Sequence, residues 1–148
     1  MLELSCFGTV EIKQNGCPVE GFVSAKDQAL LIYLGVTGQP HRRETLAGLF
    51  WGDKSEARAR ANLRKALSNL RQLVGDYLTI SDRTVAINGN SACRLDVTAF
   101  EALWQGNDTQ LPNPEPLRQM IHLYRGDFLA GFTVEAALPF EEWVLVQR

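Results

Sequence analysis

The stretch "SEARARANLRKALSNLRQLVG", Ser55 to Gly75, sets five cations, Arg58, Arg60, Arg64, Lys65 and Arg71, against one acid, Glu56. Side chains of this kind at this density suit an anionic partner. Arginine can pair bidentately with a phosphate or a guanine edge, and lysine meets a phosphate as a point charge. Asn62 and Asn69 add carboxamides, whose donor and acceptor match an adenine edge. Ser68 adds a hydroxyl, and Arg83 and Thr84 follow in a polar turn. These ten residues are the candidate site. Catalytic chemistry has little to build on. His41 and His122 lack an evident serine or cysteine partner, and "GQPHRRE" lacks the spacing of a phosphate-binding loop. Glu141-Glu142 suits a helix start better than an acid–base pair. Cys6, Cys17 and Cys93 are odd in number, without a C-x-x-C pair, and far in sequence from the histidines. No enzyme activity, cofactor, metal or disulfide framework is expected.

The elements that carry these residues follow from pattern. On a helix, Ala59, Leu63, Ala66, Leu67, Leu70 and Val74 share one face. Arg58, Asn62, Lys65, Ser68, Asn69 and Gln72 fall on or near the opposite face, flanked by Arg60, Arg64 and Arg71. Asp53 or Ser55 caps this helix, and Gly75 stops it. A coiled coil is excluded, because the apolar stripe is too short before that stop. A solvated charged face and a recognition helix are left.

Upstream, "LELSCFGTVEIKQNGCPVEG" alternates as short strands, with Asn15-Gly16 as a tight hairpin turn. Ser24 and Asp27 resemble a capping box opening a helix with Leu30, Leu31 and Leu34 buried. Gly35 and Gly38-Gln39-Pro40 are expected to end it. A short helix spans about Arg43 to Trp51, with Gly52 as its cap. Downstream, Tyr77–Ile80 and Thr84–Ile87 flank Ser81-Asp82-Arg83 as a hairpin, and "NGNSACRL" can add a strand. Asp96 caps "VTAFEALWQG". The polar, proline-bearing "NDTQLPNPEP" reads as a boundary or long loop. Helices are expected at Glu115–Tyr124 and from "FEEWVLVQR". Trp51, Trp104 and Trp143 are expected in the core.

A helix, a short helix, a long basic helix and a β-hairpin, in that order, make a winged helix-turn-helix. The major groove of DNA is wide enough to admit such a helix. The rival is a winged helix used for protein or intramolecular docking. The charge distribution bears on both. Residues 1–75 hold ten basic and seven acidic residues, and residues 76–148 hold five and ten. A nucleic-acid function therefore rests on a local patch, and the acidic half can cover the basic helix. With no signal peptide and no apolar run near a membrane span, a cytoplasmic protein without membrane contact is expected.

The strands, "SAKDQALLIYL", "RRETLAGLFWGD", "ARANLRKALSNLR" and the hairpin resemble the OmpR/PhoB-type winged-helix domain of SARP-type bacterial transcriptional activators. "LDVTAFEALW" and "LYRGDFLAGF…FEEWVLVQR" resemble the start of the bacterial transcriptional activator domain. The resemblance covers nearly the whole chain. It implies an α+β fold: a winged helix-turn-helix with an N-terminal antiparallel sheet and a C-terminal wing at residues 1–95. The first helices of a truncated, TPR-like domain follow at 96–148. It places the recognition helix at Ala57–Leu73, with Asn62, Lys65, Ser68, Asn69 and Arg71 toward the groove. OmpR-type relatives often carry arginine where Ser68 and Asn69 stand, and a serine cap where Arg42 stands. An arginine there can meet a phosphate. The sequence opens directly on the winged-helix pattern with no receiver domain ahead of it, which fits this family better than a two-component regulator. The partners implied are double-stranded DNA, RNA polymerase in a longer activator, and a second copy in a head-to-tail dimer on direct repeats.

Overall fold

The computed structural model describes residues 1–88, 93–106, 123–124, 126–132, 134 and 137–147, with residues 103–106 as backbone only. The expected proline-bearing loop, most of the Glu115–Tyr124 helix and the Trp104 side chain lie outside the described residues.

β1 (Leu2–Ser5) and β2 (Glu11–Gln14) pair antiparallel, with Leu4 opposite Ile12. Their alternation puts Leu2, Leu4 and Ile12 into the core. Asn15 and Gly16 take φ of 53° and 83°, as an Asn-Gly turn requires, and β3 (Cys17–Pro18) returns along β2.

Helix α1 (Ala25–Thr37) buries Ala29, Leu30, Leu31, Ile32 and Leu34. The expected capping box lacks its hydroxyl-to-amide bond. The Ser24 hydroxyl bonds the Asp27 carboxylate at 3.3 Å and makes no bond to the helix N–H groups. Burial pushes the Asp27 carboxyl above its ordinary value, and hydrogen bonding from Ser24 pulls it partly back. Gly35 does not end the helix. It lies inside α1 where the helix meets the sheet, and a Cβ there would stand 2.8 Å from Leu4 Cδ1. The stop is Gly38, at φ 65°, whose N–H bonds Leu34 O at 3.1 Å.

The two-residue β4 (His41–Arg42) leads into α2 (Arg43–Trp51), then α3 (Glu56–Val74). Ser55 caps α3 by accepting the Arg58 N–H at 3.3 Å. The buried face of α3 is Ala59, Leu63, Ala66, Leu67, Leu70 and Val74, as the spacing predicts. Each fully buried leucine there contributes about 1.5–3 kcal/mol. Gly52 and Gly75 cap the ends of α2 and α3, as expected, though not in the left-handed conformation. Both keep right-handed helical angles, and α3 tightens into a 3₁₀ turn at Gly75–Tyr77.

β5 (Leu78–Ile80) and β6 (Thr84–Ile87) form the expected hairpin, and β4 adds a third strand with His41 opposite Val85. β7 (Cys93–Leu95) runs parallel to β1, Leu4 opposite Leu95, giving the order β3-β2-β1-β7. The N-terminal sheet is therefore mixed, not antiparallel as expected. Parallel pairing arises because a long crossover through three helices brings the chain back beside its start.

α4 (Asp96–Gly106) begins at β7, and α5 (Leu138–Gln147) packs on α2. Described residues beyond Leu95 join the same buried cluster as the rest of the chain, including Phe128, Leu129, Phe140 and Val144. The Asp96 carboxylate accepts the N–H groups of Cys6 and Phe7, each at 2.8–2.9 Å, and of Val97 at 2.8 Å. It ties the end of β1 to α4. Leu129 N–H bonds Cys6 O on the same segment. Among the described residues, no helix is long and apolar enough to cross a membrane.

Candidate nucleic-acid interface

Arg58, Arg60, Arg64, Lys65, Ser68 and Arg71 are exposed along α3, while Asn62 and Asn69 are half-buried on one flank. Arg60 pairs with Glu56 at 3.1 Å across one helical turn, an exposed contact worth about 0.3–0.5 kcal/mol. Among the described residues, no acid pairs with Arg58, Arg64, Lys65, Arg71 or Arg83. The stripe is thus largely uncompensated.

Arg60 and Arg64 face a cleft of about 720 Å³ between α3, the start of α2 and the β5–β6 tip. Arg42, Arg43 and Arg83 also line it, with Glu44 and Asp82 as its acids. Five arginines against two acids make the cleft electropositive. Sequence reasoning left Arg43 out of the site and Arg42 outside its core set. The pairing of β4 with β6 is the cause, because it draws both residues to the hairpin. Arg43 N–H bonds Arg83 O at 2.9 Å, and Arg43 Nε bonds Ser81 O at 2.9 Å. α2 starts without a side-chain cap. The hairpin carbonyl takes up one of its orphan amides.

The Ser81 hydroxyl organises the tip. It receives the N–H groups of Arg83 and Thr84 at 3.3 and 3.0 Å and lies 3.0 Å from Thr84 Oγ1. Thr84, a candidate contact, is therefore half-buried with its hydroxyl engaged in the turn. Arg83 is exposed on this hydrogen-bonded tip. Asn69 also departs from its expected role as a base reader. Its carboxamide bonds the backbone of Gly21 and Val23.

His41 sits behind the cleft, buried, with its ring 4.8 Å from that of Tyr33. The Thr37 hydroxyl donates to Tyr33 O at 2.7 Å and lies 2.7 Å from His41 Nε2, so Nε2 must carry the proton in the neutral ring. Burial holds the His41 pKa below the ordinary imidazole value. The unfolded chain therefore takes up the proton first as pH falls. The stability tied to neutral His41 is complete above about pH 6.5 and declines as pH drops below it. His41→Gln should flatten that decline. Denaturant titrations at pH 7.5 and 5.5 test this, and an equal decline in both proteins would refute it.

Burial, the Asp96 carboxylate and Cys93 push the Cys6 thiol well above its ordinary pKa, so it stays neutral. Among the described residues, no group of three His, Cys, Asp or Glu side chains is placed to hold a metal.

A helix, a short helix, a long basic helix and a hairpin beside a mixed sheet are compatible with an α+β winged-helix architecture. No protein-family model matches the chain, and no curated protein matches it by sequence. Among solved structures, EmbR from Mycobacterium tuberculosis, in complex with a low-affinity phosphopeptide, is similar, with a TM-score of 0.70 at 20% identity. The likeness covers 98% of this chain and 41% of EmbR, so this chain spans less than half of that protein's length. At that identity the likeness shows the fold alone.

Proposed function

We propose that this chain is the sequence-specific, double-stranded DNA-binding part of a bacterial transcriptional activator, cytoplasmic and without enzymatic activity. α3 enters the major groove, and the β5–β6 hairpin serves as the wing. Arg58, Arg64, Lys65, Ser68 and Arg71 face the duplex, and Arg83 anchors the wing to the backbone or an adjacent minor groove. Arg42 and Arg43 add phosphate contacts at the start of α2. Residues 1–95 form the DNA-binding unit, and residues 96–148 begin a TPR-like helical region. RNA polymerase and a second, head-to-tail copy on direct repeats are its partners on DNA.

One observation supports this reading above the others: a row of exposed cations on α3, four of them without an acid partner among the described residues, continues into an arginine-lined cleft under a hydrogen-bonded hairpin tip. A merely solvated helix needs no such convergence of three elements. Of the acids in the second half, Glu141 and Glu142 belong to α5, which packs on α2, and among the described residues the outer face of α3 is exposed.

With four to six phosphates neutralised, log K against log salt should slope by about −4 to −5. A mobility-shift titration on random-sequence duplex at two salt concentrations measures it. A slope near zero, or no binding at low salt, overturns the reading in favour of a protein partner.

A further inference from the structure

Asn69 lies among the solvent-facing residues of α3, yet both ends of its carboxamide are engaged. Nδ2 donates to Gly21 O at 3.0 Å, and Oδ1 accepts the Val23 N–H at 3.3 Å. A neighbouring β-strand would make the same pair of bonds to residues two apart. The side chain thus acts as a one-residue strand, joining α3 to the segment that enters α1. Gly21 is suited to the approach. Its φ is +103°, and a Cβ there would stand 3.1 Å from Leu73 Cδ2, one turn beyond Asn69. Asn69 and Leu73 form a two-point seat, and Val23 is left 82% exposed beside the helix. The opposite flank of α3, with Arg60 and Arg64, faces the hairpin tip.

We propose that Asn69 is a positioning residue: it fixes the Gly21–Val23 segment as a wall along α3 and so sets how the helix seats in DNA, a role that rests on the DNA-binding reading above. The wall, not the Asn69 amide, meets the duplex on that side. With the hairpin on the other flank, it confines the approach to the face carrying Lys65 and Ser68. The wall is uncharged, so its loss changes the fit and leaves the number of phosphate contacts unchanged.

Two substitutions separate positioning from base reading. Asn69→Ala removes the clamp, and Gly21→Ala disrupts the clamped segment while keeping the Asn69 side chain. Both should speed amide hydrogen exchange at Val23 about tenfold, the scale of one lost hydrogen bond, without a comparable rise in the core. Both should weaken binding to a duplex selected from a random pool by about five- to tenfold, with the salt slope unchanged. The rank order of penalties for single base-pair changes in that duplex should be kept. Unchanged Val23 exchange in Asn69→Ala overturns the clamp. Loss of discrimination at one base pair in Asn69→Ala but not in Gly21→Ala makes Asn69 a reader and overturns the proposal. Failure of the unsubstituted protein to bind any duplex sinks the DNA reading and the seating role with it, whereas the exchange result reports on the clamp alone.

Discussion

Phe50→Ala is expected to cost about 3–5 kcal/mol of stability, the range for truncating a buried aromatic. Phe50 is fully buried. Its ring centroid lies 5.0 Å from Phe140, 6.0 Å from Trp51 and 6.2 Å from Tyr33. The site is where α1, α2 and α5 meet, so few side chains can collapse into the space. A chain of this size loses about 2–4 °C of melting temperature per kcal/mol, which puts the drop at about 6–20 °C. The effect also has a local signature. Trp143 packs at 4.9 Å from Tyr33 and 5.6 Å from Phe140. Its fluorescence should shift toward that of a hydrated indole before global unfolding, as α5 loosens from α2. Leu67→Ala, beneath α3, should cost about 2–5 kcal/mol by the same mechanism. A loss under about 1 kcal/mol for Phe50→Ala would mean that α5 does not pack on α2 in solution.

The second large effect is on binding and leaves folding nearly intact. Arg64 and Lys65 are exposed on α3, and no acid pairs with either among the described residues. The double substitution Arg64→Ala, Lys65→Ala should change stability by no more than about 0.5 kcal/mol. If the proposed DNA-binding function holds, the double substitution removes two charge-assisted contacts. At about 1.4 kcal/mol each, near the lower end for such bonds, the loss is about a hundredfold in affinity. The salt slope should become shallower by about two, because each lost phosphate contact removes about one. Titrations on selected and random duplexes check both numbers. Thermal melts on the same samples guard against a folding defect. A double variant that binds as the parent does would place the DNA contacts elsewhere. A variant that melts far below it would mean the helical phase is misassigned.

Local pattern was enough to establish several features. The phase of α3 follows from six apolar residues at helical spacing, because any other rotation would expose them and bury arginine. Asn15-Gly16 specified its turn through the rarity of positive φ. The polar triplet Ser81-Asp82-Arg83 marked the hairpin tip, since its flanks are β-branched and its own residues are not. Each of these signals is confined to a few neighbouring residues, so no distant partner is needed to interpret it.

Other features were decided only when distant segments met. β7 pairs with β1 across some ninety residues of sequence, and three residues of strand pattern do not reveal whether that pairing is parallel. β4 is two residues long, too short for any periodicity, yet it draws Arg42 and Arg43 to the cleft. Gly35 looked like a stop because glycine costs helix stability; only the approach of Leu4 and Leu95 shows why it is tolerated there. α5 carries apolar residues around most of its circumference, so its buried side, Phe140 and Val144, is set by α2 and not by its own pattern. Asn69 is the sharpest case. A carboxamide offers one donor side and one acceptor side to whatever comes within reach, and its sequence neighbours do not say what that is. In this chain the backbone of Gly21 and Val23, more than forty residues away, arrives first. The periodicity of α3 therefore determined which face is open, while tertiary contacts decided which of its polar residues are free to use it.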